Sequence, residues 1–100
     1  MRRAARTDAN QAQIMRALRA IGCKVKDTSR LGDGFPDLVV GYRGRLTLME
    51  VKDGSKPPSE RKLTPDQEKF HAEWAGLPVY VVENEDAAIT AASDSGPKEP

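Results

Sequence analysis

Apolar positions in the first third of the chain recur at helical spacing. Gln11, Ile14, Leu18 and Ile21 fall at i, i+3, i+7 and i+10, which predicts an amphipathic helix. Asp8 with Gln11 three residues later has the form of a capping box, so the helix is expected to begin near Ala9 and to stop at Gly22. Cys23 to Asp27 reads as a short strand, and "SRLGDG" is loop chemistry. From Asp37 to Val40 the chain turns apolar and β-rich. Gly41-Tyr42-Arg43-Gly44 supplies a turn, and Leu46 to Lys52 forms the second arm of a hairpin.

"DGSKPPSERK" is too rich in Gly, Pro, Ser and charge to pack and is expected as an exposed loop. Helix resumes at "LTPDQEKFHAEW", with Thr64 as N-cap, Pro65 at N1 and Gln67 completing a second capping box. Phe70 and Trp74, at i and i+4, are its expected buried stripe. "VYVV" is a last strand, and "EDAAITAA" can add a short helix. The order is αβββαβ, an α/β arrangement without internal repeats.

Length and composition narrow this picture. One hundred residues accommodate one domain with a modest core, and 38% hydrophobic with 31% charged residues is globular rather than disordered composition. The expected organisation is a basic arm over 1–7, a single domain over 8–92 and a flexible tail over 93–100. No apolar run reaches the roughly 20 residues of a membrane helix. The basic N-terminus lacks a following apolar core of a secretory signal, and the single Cys23 allows no intrachain disulfide; both suit a cytoplasmic protein. The net charge of +1 conceals an asymmetry: residues 1–30 carry +6, residues 31–82 carry −1 and residues 83–100 carry −4. A basic first third is compatible with a polyanionic partner and equally with a solvated helix face.

The hairpin charges ask for a reason. Alternation along a strand projects Glu50 and Lys52 from one face, and an antiparallel partner brings Asp37 close to Glu50. Two carboxylates in a half-buried sheet repel unless one is protonated or a cation sits between them. Oxygen donors of this kind suit Mg²⁺ or Mn²⁺, and a lysine two positions away can hold an attacking water or offset charge on a phosphodiester. A zinc site is disfavoured, because Cys23 and His71 are the only thiol and imidazole in the chain. The alternative is a turn residue at Asp37 and a solvated strand end at Glu50 and Lys52.

"GFPDLVVGYRGRLTLMEVK" resembles the core of the PD-(D/E)XK nuclease superfamily: Pro36-Asp37, a turn, then Glu50-Val51-Lys52. Gly34 ahead of Phe35-Pro36-Asp37, the short hairpin, "EVK", a polar loop and "LTPDQ" are similar to the VRR-NUC branch, particularly its small standalone, phage-type domains. The resemblance runs from about Asp8 to Val82. It implies a restriction-endonuclease-like core with a mixed central sheet flanked by helices. It implies that Asp37, Glu50 and the Val51 main-chain carbonyl bind the divalent metal, that Lys52 positions the attacking water, and that Gln67 orients water or Lys52. Gln67 can equally be only the N3 partner of the Thr64 cap. His71 is expected as a packing or surface residue. The first helix departs from the pattern, with Gln11 where family members often carry an acid. An amide there supplies no charge but can support the site by hydrogen-bonding water at the metal.

The implied activity is metal-dependent, structure-selective DNA hydrolysis like that of a Holliday-junction resolvase, performed by a homodimer. The alternative is a weak or inactive DNA-binding module on the same scaffold. Arg43, Arg45, Lys56, Arg61 and Lys62 are candidate phosphate contacts, as are Arg2, Arg3 and Arg6 of the arm.

Overall fold

The computed structural model describes residues 8–94; the expected arm, residues 1–7, and residues 95–100 of the expected tail lie outside the described residues. These residues form α1 (Gln11–Ala20), β1 (Lys24–Asp27), β2 (Leu38–Tyr42), β3 (Arg45–Val51), α2 (Pro65–Glu73), β4 (Val79–Val82) and α3 (Glu85–Ser93), with a single 3-10 turn at Pro58–Glu60 in the polar loop. The sheet order is β1-β2-β3-β4. β1, β2 and β3 pair antiparallel, and β4 joins β3 in parallel after the α2 crossover. The fold is the mixed α/β arrangement expected, and the last helix is present.

Strand alternation divides the sheet into two unlike faces. Val25, Leu38, Val40, Met49, Val51 and Val82 point to one side and pack with Ile14 and Leu18 of α1 and Ala88, Ala91 and Ala92 of α3. That layer is the hydrophobic core. Lys24, Lys26, Val39, Gly41, Leu46, Leu48 and Glu50 therefore project to the other side, where α2 reaches Glu50 through Gln67 and rests on the loop before β2. Phe70 anchors α2 there, edge-on to Phe35 with ring centroids 5.3 Å apart and stacked on Trp74 at 4.6 Å.

Four local expectations need correction. The α1 capping box is absent: Asn10 is the N-cap residue, no side chain caps it, and Asp8 contributes only its main-chain carbonyl, accepting from the Gln11 N–H (3.0 Å). Ile21 ends the helix as its C-cap and is 37% exposed rather than in the buried stripe. Trp74 is equally exposed at 37%, so Phe70 alone is the buried anchor of α2. Gly41 belongs to β2, and the hairpin closes through Arg43 and Gly44 alone, at φ 52° and 78°. Such a two-residue turn with both φ positive matches the twist of paired strands. The α2 cap, by contrast, forms as expected, with reciprocal bonds between Thr64 and Gln67.

Candidate active site

The site lies where β2 begins and β3 ends. Leu38 pairs with Met49 in the antiparallel register, so Asp37, one residue before β2, falls beside Glu50 as expected. The loop before it is pinned: the Thr28 hydroxyl donates to the Pro36 carbonyl (2.7 Å) and the Thr28 N–H to the Asp37 carbonyl (2.7 Å). Asp37 Oδ2 then accepts the Val51 N–H at 2.8 Å, which fixes one carboxylate oxygen against the end of β3.

Glu50 is only 2% exposed, and its Oε1 is buried without a hydrogen-bond partner. Burial first, then the adjacent Asp37 carboxyl, pushes its pKa from 4.5 up to about 9, against a smaller downward pull from Lys52. Its other oxygen, Oε2, accepts from Gln67 Nε2 at 3.0 Å. Gln67 Oε1 accepts from Lys52 Nζ (2.9 Å) and from the Thr64 N–H (2.9 Å). Both of these partners can only donate, so the orientation of the Gln67 amide is fixed. One side chain thus clamps Glu50, Lys52 and the start of α2 together. The helix-cap reading of Gln67 holds, and the same amide also bonds Glu50 and Lys52.

Gly34 makes this possible. It adopts φ 77°, and a Cβ built there would lie 2.2 Å from the Asp66 carbonyl oxygen and 2.9 Å from the Gln67 nitrogen. Only a residue without a side chain lets the loop before Asp37 rest on the first turn of α2.

A solved structure described as a "VRR_NUC domain" matches this chain with a TM-score of 0.61 and 25% identity, over 88% of this chain and 99% of that one. The match supports the VRR-NUC branch of the PD-(D/E)XK superfamily that the sequence resembles. No family model and no curated protein matches the sequence.

The chain has residues around these carboxylates that the sequence did not reveal. Asn10 Nδ2 donates to the main-chain carbonyls of Lys52 (3.1 Å) and Glu83 (3.0 Å), tying the start of α1 to the ends of β3 and β4. Asp8, relieved of capping, faces the same charges: burial raises its pKa foremost, Lys52 and Lys56 oppose the rise, and Asp37 and Asp53 add to it. The "DANQ" string reads as a local cap, and nothing in it signals a tertiary role. His71, one turn beyond Gln67, is half-buried with Nε2 unpartnered, and burial and then Lys52 lower its pKa. Gln11 is 2% exposed, and neither of its amide atoms has a hydrogen-bond partner. It approaches Asp27 without reaching hydrogen-bond geometry. The Asp27 carboxyl lies below its ordinary range, held there mainly by Ser29 and only slightly by Gln11.

The donors fit a hard divalent ion. A buried Glu50 oxygen without a partner, beside the Asp37 carboxyl, is an arrangement that a cation between the two would stabilise. Among the described residues no three His, Cys, Asp or Glu side chains converge as a metal site, so the protein side chains offer two carboxylates and no third. Val51 meets Asp37 through its N–H.

The candidate DNA contacts separate by position. Arg43 and Arg45 stand at the hairpin turn, the opposite end of the sheet from Asp37. Arg45 is engaged with the Tyr80 hydroxyl (2.8 Å), the Ala91 carbonyl (3.1 Å) and Thr47 (3.3 Å), against α3 on the core side. Arg61 is held by Glu83 and by the Lys56 carbonyl. Lys56 and Lys62 are exposed, and Lys56 is near enough to Asp8 to act on its charge.

Proposed function

We infer that this VRR-NUC domain is a divalent-metal-dependent DNA endonuclease that hydrolyses phosphodiester bonds. The observation that carries this reading is the clamp in which Gln67 joins buried Glu50 to Lys52 opposite Asp37. Asp37 and Glu50, with the Val51 carbonyl implied by the family resemblance, would hold Mg²⁺ or Mn²⁺. Such an ion supplies Lewis-acid polarisation of the phosphoryl group and a more acidic water. Lys52 spends one ammonium N–H on Gln67 and keeps two for the attacking water or a phosphate oxygen. Gln67 holds that ammonium in place before substrate arrives, which lowers the cost of ordering it in the transition state.

The finer assignment is a structure-selective, Holliday-junction resolvase-like enzyme acting as a homodimer in the cytoplasm of a bacterial or phage-infected cell. Leu77 and Val81, exposed at the β4 edge, support a second copy of the chain there. No helix among the described residues is long and apolar enough to cross a membrane. A second reading, a weak or inactive DNA-binding module, is favoured by the amide at Gln11 and the absence, among the described residues, of a third converging acid.

Incubation with duplex, flap and four-way DNA in Mg²⁺ or Mn²⁺ tests the assignment. Cleavage that disappears in Lys52→Ala and Asp37→Asn is expected. Tight binding without cleavage by the wild type selects the second reading.

A further inference from the structure

Charge is distributed unevenly around the site. The depression on the outer side of α2 is lined by Asp33, Asp66 and Glu73 with one cation, Lys69. The depression beside the Asn10 bridge is lined by Asp53, Glu83 and Glu85 with no cation. Both repel a phosphate backbone. A third hollow, about 400 Å³ at the hairpin end of the sheet, is lined by Lys24, Arg43 and Arg45 and by no acid.

Part of this hollow's lining, Lys24, Gly41 and Leu46, lies on the sheet face that carries Glu50. Gly41 adds no side chain to its floor. Lys26, exposed and paired with Val39, stands on that face between the hollow and Asp37. Arg45 is spent on Tyr80 and Ala91, which leaves Lys24, Lys26 and Arg43, the last over the Tyr42 ring at 5.1 Å, without an acidic partner among the described residues. Lysines on an edge strand also guard against edge pairing, but that duty sets neither the face they share with Glu50 nor the acid-free hollow beside them. Gly41 and Asp37 are four strand residues apart, roughly 13 Å. That span is a few nucleotides of DNA backbone.

We propose that the hollow is a phosphate-binding subsite in which Lys24, Lys26 and Arg43 hold the DNA backbone a few nucleotides from the scissile phosphate. The proposal rests on the nuclease reading and adds where the substrate lies: across the open sheet face toward the hairpin, away from the acidic flanks.

Fluorescence anisotropy of labelled duplex and four-way DNA in EDTA, titrated with NaCl, measures the contacts without cleavage. The log–log salt slope is expected to fall by roughly 0.9 for each cation removed in Lys24→Ala, Lys26→Ala and Arg43→Ala, and to fall cumulatively in the triple variant. Arg16→Ala, which removes an exposed charge from α1 on the opposite face, keeps the wild-type slope. In cleavage assays the three single variants raise KM and leave kcat unchanged. A wild-type slope in the triple variant overturns the subsite while leaving the nuclease reading intact. An equal loss in Arg16→Ala reduces the effect to net charge and overturns it as well. Wild-type protein that binds no DNA in a salt-dependent way overturns both. The three side chains are exposed, so the melting temperature is expected to be unchanged; if the triple variant unfolds, the single-variant slopes decide.

Discussion

The starts of α1 and α2 look alike in sequence and behave differently in the fold. "DANQ" and "TPDQ" both place an N-capping side chain three residues ahead of a glutamine. At α2 the box closes, and Gln67 then extends it to Lys52 and Glu50. At α1 it does not close: Asn10 turns its amide outward to the carbonyls of Lys52 and Glu83, and the Asp8 side chain is released toward the site. A local cap contributes about 1 kcal/mol. Two hydrogen bonds to strand-end carbonyls can match or exceed that. Helix starts that border a site are therefore decided by what lies across from them.

The largest break in the comparison is expected at Gln67. Gln67→Ala releases Lys52 and Glu50 together with half of the box, and cleavage should fall roughly 100-fold, the scale of misplacing a catalytic group by about 1 Å. Thr64→Ala separates the two duties. It removes the cap hydroxyl at a cost of about 1 kcal/mol in thermal unfolding and leaves the Gln67 contacts to the site, so cleavage should remain near wild type. Equal loss of cleavage in both variants would show that Gln67 acts only by holding the helix.

Glu50 supplies a second readout of the same clamp. Its folded pKa of about 9 lies above the ordinary 4.5, so between those values the folded chain holds a proton that the unfolded chain has released. Stability of the metal-free protein is therefore greatest below about pH 4.5 as far as this group is concerned, and is lost as pH rises toward about 9. The upward shift at Asp8 acts in the same direction. The expected loss is on the order of a few kcal/mol, read as a falling melting temperature in EDTA between pH 6 and 9. Glu50→Gln should flatten the dependence, and added Mn²⁺ should raise the wild-type melting temperature most at high pH.

Gly34→Ala reaches the α2 start from outside. A methyl group there meets the Asp66 carbonyl and needs a positive φ, so the loop or the helix must shift. A cost of about 2 kcal/mol in unfolding is expected, with cleavage lost beyond what the fold loses. Asn10→Ala is the corresponding break at α1. It leaves two strand-end carbonyls without their side-chain donor and should cost about 1–2 kcal/mol in thermal unfolding.

The fold and the centre of the site were legible because they rest on short-range patterns. Period-two alternation fixed the face of Glu50, the hairpin brought Asp37 to it, and the Thr64–Gln67 spacing described a real cap. What stayed hidden was long-range. Asn10 reaches residues 42 and 73 positions away, and no local pattern records that. Gly34 was visible as part of a motif, but its partner, the Asp66 carbonyl, appears only once α2 has docked. The arginines of the hairpin were read by charge alone, and charge does not show that Arg45 turns to the core side while Lys24 and Lys26 face the open side.

The smallest expected effect is the most discriminating for α1. If Asp8 capped the helix, Asp8→Ala would cost about 1 kcal/mol of stability. Its side chain makes no capping bond, so the unfolding free energy should stay within roughly 0.5 kcal/mol of wild type, the range of an ordinary surface change. Asp8 adds negative charge near Glu50 and Lys52, so the loss should appear instead in divalent-ion affinity, read by isothermal titration with Mn²⁺. Unchanged affinity with a lowered melting temperature would return Asp8 to the helix and make the two starts alike after all. Weakened affinity at constant stability would establish that this chain draws its nearby negative charge from the residue before the helix, while the Gln11 amide inside it contributes none.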